Sequence, residues 1–164
     1  MALETIFTGL MAAYRSRGIL IDTNLLLLLA VGRYDRRRIE VFKRTSVYSL
    51  SDFQRLGYIA DQFASLWTTP NILTEVDNLG RQLPRREWQG FASSLRSLGV
   101  KLTEQYVNSN AVMSSPVFSR LGLADTASLS TQQRFLILSD DLQFYLQALN
   151  SGYDAVNFNH LRMQ

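Results

Sequence analysis

Two short, fully apolar runs stand out in the pattern of hydrophobic and polar positions. Residues 18–22 (GILID) and 134–139 (RFLILS) are rich in branched side chains, which is typical of buried parallel strands. Residues 25–31 (LLLLLAV) follow the first run and predict a helix that is apolar on every side, so other elements must cover most of it. Asn24 is positioned to be the N-cap of that helix.

The rest of the chain alternates between short strand patterns and helical patterns. A helix is predicted from Ser51, where Ser51 and Gln54 resemble a capping box, and Pro70 and Gly80 bound another. The other predicted elements are a short helix over 35–45, strands over 65–69, 101–107 and 154–158, and helical segments over 84–98, 114–122, 124–133 and 140–152. Repeated strand–helix units predict an α/β fold with a parallel sheet and helices on both faces.

Length and composition indicate one globular domain over residues 1–164, with residues 1–16 as an N-terminal helix packed on it. Hydrophobic residues make up 46% of the 164 and charged residues 19%, and there is no internal repeat or linker. The leucine-rich stretch is too short to span a bilayer and is interrupted by Asp22 and Asn24, so no membrane association is expected. The first residues lack the basic start of a signal peptide. A chain with no cysteine has no disulfide framework or thiolate metal site, which fits a reducing, cytoplasmic location.

Arginine dominates the positive charge of the chain. The net charge is +3, and 15 of the 17 basic residues are arginine, which is suited to planar contacts with phosphates or carboxylates. The arginines concentrate in two clusters, which are Arg33, Arg36, Arg37 and Arg38, and Arg81, Arg85 and Arg86. Solvated surface turns are the commoner explanation of such runs, and a phosphate-binding surface is the alternative.

Acidic residues follow the predicted strands. Asp22 comes directly after the first apolar run, and Asp140 and Asp141 come directly after the second. Glu75 lies early in the helix after the strand at 65–69, and Asp125 lies at the start of a helical segment. Because functional groups gather at the carboxyl ends of strands in open α/β sheets, this architecture could bring the five acids to one edge.

Converging carboxylates predict a site for a hard divalent cation. The chain offers no cysteine, and its single histidine, His160, is near the C-terminus and outside any metal-ligand spacing, so we expect it at the surface. Oxygen ligands alone favour Mg²⁺ or Mn²⁺. Packed together, the carboxylates would repel and raise one another's pKa, so a cation is expected among them. A catalytic triad or a histidine general base has no support.

Each acid also has a simpler explanation. Asp125 and Asp140 could be N-caps, and Asp140 with Gln143 matches a capping box. Glu75 could lie on a solvated helix face, its charge favoured near the helix N-terminus. Asp22 is the hardest to explain in this way, because it lies between two apolar blocks. Considered one at a time, Asp125 and Asp140 are better explained as helix N-caps. Considered together, the acids at the strand ends favour a functional site.

Four motifs in order resemble the PIN domain family of nucleases, including its VapC-like toxins. They are LIDTN (20–24), TPNILTEV (69–76), GLADTASL (122–129), and LILSDDLQFY (136–145) followed by AVNF (155–158), and the resemblance covers about residues 17–159. It implies a three-layer α/β/α sandwich around a parallel sheet, as in flavodoxin-like and Rossmann-type folds. It also implies metal-dependent endonuclease activity, usually on RNA, with metal-activated water as the nucleophile.

The resemblance assigns catalytic and metal-binding acids by position. Asp22, Glu75 and Asp125 match the first three acids of the family. The fourth motif has a hydroxyl residue, any residue and then aspartate, which makes Asp141 the fourth acid. Asp140 falls on the variable position, but because it adjoins Asp141, it stays open as a metal ligand.

The resemblance also implies supporting residues and partners. Asn24, Ser139 and Asn157 would orient ligands or backbone without holding the metal. Both arginine clusters become candidates for contacts with the RNA backbone. A toxin would have an antitoxin protein as partner. The extra length at 33–65 and 81–113 could form a partner or homodimer surface, although additional core is the simpler explanation.

Two other functions compete with a nuclease. The first is an RNA-binding or scaffold domain that keeps the fold without turnover, and the presence of all four acids counts against it. The second is a phosphoacceptor or nucleotide-binding domain on a flavodoxin-like sheet. The chain has no G-x-G-x-x-G or P-loop string and no well-placed lysine late in the sequence, so this interpretation ranks last.

Overall fold

The computed structural model describes residues 2–162, with side chains from residue 5 onward, and its centre is a five-stranded, all-parallel sheet. The strands are β1 (Ile19–Ile21), β2 (Leu66–Thr68), β3 (Leu102–Glu104), β4 (Leu136–Ser139) and β5 (Ala155–Asn157). Their spatial order is β3-β2-β1-β4-β5. Ile19 pairs with Leu66 on one side and with Leu136 on the other, so β1 is central.

Helices flank the sheet, which confirms the predicted α/β fold and is consistent with a three-layer α/β/α sandwich. They are α1 (Ala2–Tyr14), α2 (Thr23–Tyr34), α3 (Leu50–Ala60), α4 (Pro70–Gly80), α5 (Trp88–Gly99), α6 (Ser109–Met113), α7 (Phe118–Leu121), α8 (Leu123–Leu129), α9 (Leu142–Asn150) and α10 (Phe158–Arg162). There are also two 3₁₀ turns. Arg36–Arg38 precedes an irregular segment, and Arg85–Glu87 directly precedes α5. Met1, the first residue of the predicted N-terminal helix, is outside the described range.

The core is built around the two apolar runs of the sequence. Every residue of β1 and β4 is buried, and so are most residues of α2, as the unbroken leucine pattern predicted. Helix α2 packs against α3, α4 and α5, and these three helices cover its apolar surface and keep it from solvent. This packing fixes the carboxyl end of β1 in the middle of the molecule. No helix within residues 2–162 has the length and apolarity needed to cross a membrane.

Three local predictions are wrong. Helix α2 begins two residues earlier than expected, so Asp22 and not Asn24 is its N-cap. The capping box of α3 is formed by Ser49 and Asp52, two residues before the predicted pair. A short helix, α10, follows the last strand and was not predicted.

The segment after α2 forms turns instead of the predicted short helix over 35–45. The Asp35 carboxylate accepts the Arg37 amide hydrogen bond (3.0 Å), and the Thr45 hydroxyl donates to the Ile39 carbonyl oxygen (2.8 Å). Such local bonds between side chains and backbone compete with the hydrogen bonds of a helix. Only the 3₁₀ turn Arg36–Arg38 forms, and the chain reaches Tyr48 through further turns.

Candidate functional site

Four of the predicted acids line one cavity at the carboxyl edge of the sheet. The cavity has a volume of about 360 Å³ and is lined by Asp22, Thr23, Asn24, Glu75, Asn78, Leu79, Asp125 and Asp141. The acids come from four separate places in the chain, namely the end of β1, helix α4, helix α8 and the turn after β4. The fold thus brings together carboxylates that are up to 119 residues apart.

Asp22 is the buried acid of the cavity, with only 5% of its surface exposed. Its Oδ1 accepts the Thr23 amide (2.6 Å) at the start of α2, and its Oδ2 accepts the Ser139 hydroxyl (2.5 Å). Burial, helped by the nearby charges of Asp140 and Asp141, outweighs the two hydrogen bonds and raises the pKa of Asp22 to about 7. The group therefore changes charge near neutral pH.

Ser139 connects the ends of the two central strands. Its hydroxyl donates to Asp22 and accepts the Asp141 amide (3.0 Å). The Asp141 carboxylate in turn accepts the Phe144 amide (2.9 Å) and caps α9. The predicted cap at Asp140 is wrong, because α9 begins at Leu142 and places Asp141 at its N-cap. Ser139 therefore orients two of the cavity's acids at once.

Glu75 is exposed on α4 and reaches across to α2. The Thr23 hydroxyl donates to Glu75 Oε2 at 2.9 Å, which ties the middle of α4 to the first turn of α2. Thr23 had no assigned role in the sequence, although it lies in the motif LIDTN. Asn78 also lines the cavity, and its spacing from Glu75 (i, i+3 on a helix) is the feature that could have identified it.

Asp125 is half-buried in the first turn of α8. Burial raises its pKa to about 8, and the charges of Asp22, Asp141 and Glu75 act in the same direction. The interpretation of Asp125 as an N-cap is wrong, because Gly122 occupies that position. The pKa shift shows that Asp125 lies within the electrostatic field of the other three acids.

Asp140 points away from the cavity that Asp141 lines. The buried Tyr48 hydroxyl donates to its Oδ2, and Asn24 Nδ2 donates to its Oδ1 at 3.4 Å. Burial and the Asp140 charge raise the pKa of Tyr48, so its phenol stays protonated and remains a donor. Tyr48 was not predicted as a site residue, since nothing in the sequence indicates its contact with Asp140 across 92 residues.

Two other predicted positions lie off the cavity. Asn157 is buried, and its Oδ1 accepts the Asn159 amide (2.9 Å) at the start of α10. It supports that turn and is not part of the cavity wall. His160 is exposed and meets the Tyr145 ring edge-on, with the ring centroids 6.0 Å apart, which confirms its expected surface position.

The side chains that line the acidic cavity are chemically suited to bind a hard divalent cation. All charged groups on the cavity wall are carboxylates, and none forms an ion pair with a lysine or arginine among the described residues. Burial chiefly raises the pKa of Asp22 and of Asp125, and the charges of neighbouring carboxylates add a repulsion that a bound cation would relieve. Within residues 2–162, no three acidic or histidine side chains are already grouped closely enough to hold an ion.

The predicted arginines do not line the acidic cavity, and instead the two clusters meet each other. Buried Glu87 forms an ion pair with Arg38 and lies 4.0 Å from Arg86. This contact joins the 3₁₀ turn after α2 to the 3₁₀ turn before α5. The two clusters, 43 or more residues apart in sequence, therefore belong to one surface.

The predicted resemblance to the PIN domain family rests on four sequence motifs. Their acids converge on one cavity. No protein-family model matches the chain, and no curated protein matches it.

Proposed function

We propose that the protein is a divalent-metal-dependent endoribonuclease of the PIN type that hydrolyses RNA phosphodiester bonds in the cytoplasm. One observation carries this proposal: four acids from four separate segments line one cavity at the carboxyl edge of a parallel sheet. This edge is where open α/β folds place their ligands. Strongly raised pKa values in a cleft are a further mark of a functional site.

The residues proposed to hold Mg²⁺ or Mn²⁺ are Asp22, Glu75, Asp125 and Asp141. When bound, the ion would polarise the scissile phosphate and lower the pKa of a water molecule for in-line attack. The family resemblance implies products with 5′-phosphate and 3′-hydroxyl ends.

The chain's own groups prepare the cavity for this reaction. Ser139 and the amide of Thr23 fix both oxygens of Asp22, so that carboxylate has a defined direction. The buried leucines of α2 keep the junction between β1 and α2 rigid, and a precise ligand arrangement requires such rigidity. Asp22 and Asp125 hold protons near neutral pH, so cation binding should release protons from them.

The test is cleavage of a labelled RNA by the purified protein with Mn²⁺ and with EDTA. Asp22→Asn and Asp141→Asn are the diagnostic variants, and Asp61→Asn, an acid at the end of α3 outside the cavity, is the matched control. Cleavage that needs metal, is lost in both diagnostic variants and persists in the control supports the proposal. Full activity in both diagnostic variants would exclude the cavity as the active site.

Two related questions have separate tests. A toxin role predicts growth arrest on expression, with relief by the product of a neighbouring antitoxin gene. An RNA-binding or scaffold domain predicts RNA binding that does not depend on Mg²⁺, with no cleavage under any metal condition. The second result would replace the endonuclease proposal.

A further inference from the structure

The surface where the two arginine clusters meet, here called the arginine face, is built by specific packing. Its residues are Arg33, Arg36, Arg38, Arg85 and Arg86, and buried Glu87 lies against Arg38 and Arg86. Gly90 lets α5 approach α2 closely, because a Cβ atom there would lie 2.3 Å from the Tyr34 ring. The Ser94 hydroxyl donates to the Ala30 carbonyl oxygen (2.7 Å) at the same contact.

Some arginines of the two clusters are already neutralised and others are not. Arg37 makes two hydrogen bonds to Asp35, at 3.0 and 3.1 Å, and Arg81 pairs with Asp77 at 2.9 Å. Arg33, Arg36 and Arg85 have no acidic partner within residues 2–162. Arg86 shares Glu87 with Arg38. The arginine face therefore presents uncompensated guanidinium groups to solvent.

Hydroxyl groups surround one of these guanidinium groups. A cavity of about 280 Å³ is lined by Arg33, Tyr34, Gly90, Ser93, Ser94 and Ser97. Ser94 and Ser97 donate their hydroxyl hydrogens to the carbonyl oxygens of Ala30 and Ser93, which leaves Arg33, Tyr34 and Ser93 as the donors of this cavity. Guanidinium and hydroxyl donors are the groups that proteins direct at phosphate oxygens. The cavity contains no carboxylate, in contrast to the acidic cavity at the other end of α2.

The arginine face lies within reach of the acidic cavity along α4. Asp22 at the start of α2 and Arg33 in its last turn are about 18 Å apart, but residues 25–32 between them are buried, so α2 itself offers no surface path. On α4, Asn78 lines the acidic cavity and Arg81 lies one turn further, stacked on the Trp88 ring at 4.1 Å. An extended polyanion a few nucleotides long can therefore contact both surfaces.

We infer that the arginine face binds the phosphate backbone of single-stranded RNA that continues out of the acidic cavity. The identity of the polyanion rests on the proposed endoribonuclease function. Two observations favour a nucleic acid over an acidic protein segment. The guanidinium groups with the Tyr34 and Ser93 hydroxyls suit phosphate, and the aromatic ring of Tyr34 lies beside Arg33 in the same cavity, as in single-strand binding surfaces.

The test measures RNA affinity without turnover. Labelled single-stranded RNA is titrated with the full chain in EDTA, by fluorescence anisotropy at several salt concentrations. The diagnostic variant is Arg33→Gln/Arg85→Gln. The matched control, Arg15→Gln/Lys101→Gln, removes the same charge from positions outside the arginine face. Circular dichroism verifies the fold of both.

If the arginine face binds RNA, the diagnostic variant should have a Kd about tenfold higher. The slope of log K against log salt concentration should also be smaller in magnitude by about 2, which is about 1 for each lost phosphate contact. The control should change Kd less than about twofold. Equal weakening in both variants would overturn the inference, because only overall charge would then matter. Competition by polyglutamate as effective as that by RNA of equal charge would also overturn it, in favour of a protein partner.

The same titration separates this inference from the endonuclease proposal. Loss of affinity in the diagnostic variant supports the arginine face even if no metal condition yields cleavage. Metal-dependent cleavage by a diagnostic variant with unchanged Kd would overturn the arginine face and leave the endonuclease proposal standing.

Discussion

Two sets of acidic residues, four that pair with arginine and four that line the acidic cavity, differ in what the fold places beside them. Outside the acidic cavity, four acids have an arginine partner, and the pairs are Asp35–Arg37, Asp52–Arg162, Asp77–Arg81 and Glu87–Arg38. Within the described part of the chain, the acids that line the cavity have none. Asp22 illustrates the contrast, since it is buried to the same degree as Glu87 but has only hydrogen-bond donors beside it.

This contrast indicates that the acidic cavity is adapted for a ligand at some cost to stability. Burying a carboxylate without a cation is unfavourable, and four of them at one cavity repel. The chain has 17 basic residues, so a lack of cations does not explain the arrangement. Unpaired acids are what a site that receives a divalent cation requires before the cation binds.

Removing a paired acid should be costly. Glu87→Ala leaves Arg38, which is 29% exposed, without its buried partner, and we expect a loss of about 3 kcal/mol in the free energy of unfolding. Urea unfolding measures this. The control Glu104→Ala, at an exposed acid on the edge strand β3, should change stability by less than about 0.5 kcal/mol. Equal effects of the two variants would contradict a structural role for Glu87.

Removing the hydroxyl that orients the unpaired acids should reduce activity. Ser139→Ala deletes the hydrogen bonds to Asp22 and from the Asp141 amide, and losses of this kind at metal sites cost about 10- to 100-fold. We expect the loss in kcat for RNA cleavage, with KM little changed because the arginine face is intact. Ser114→Ala, at an exposed serine after α6, serves as control. A normal kcat for Ser139→Ala would show that Asp22 does not need this orientation.

Neutralising an unpaired acid should stabilise the metal-free protein. Asp22 has a pKa of about 7 when folded against an ordinary value of 3.8, so the folded state holds its proton over that interval and stability falls as pH rises through it. Asp22→Asn should gain about 1–2 kcal/mol at pH 8, because no charge has to be buried. Thermal unfolding from pH 4 to 8 should show a shallower decline than in the wild type. Asp125 acts in the same direction, so some decline persists. An equally steep decline in the variant would contradict this account of Asp22.

Breaking a paired acid at the surface should have the smallest effect. Asp77→Ala removes the exposed i,i+4 pair with Arg81 on α4, and such pairs contribute less than about 0.5 kcal/mol. Urea unfolding should barely distinguish this variant from the wild type. A loss comparable with that of Glu87→Ala would show that burial does not separate the two pairs.

The sequence predicts those features that neighbouring residues determine. The elements β1, β4 and α2 could be predicted because the side chains of their apolar runs are buried. Asp22 and Asp141 could be predicted as site residues because they come just after the ends of β1 and β4. Contacts between distant segments could not be predicted, including Tyr48 with Asp140 and Glu87 with Arg38, because they depend on how helices and turns pack. The start of α2 lies two residues earlier than predicted, which moves its cap from Asn24 to Asp22, and periodicity does not resolve a shift of that size.

A titration with Mn²⁺ tests most directly whether the unpaired acids form a cation site. The metal-free protein is titrated at pH 7.5, roughly the pKa range of Asp22 and Asp125, and binding is followed by electron paramagnetic resonance. We predict saturable binding to the wild type and to Asp61→Asn, and its loss in Asp22→Asn/Asp141→Asn. Binding by that double variant as tight as by the wild type, or no saturable binding by the wild type, would contradict the account.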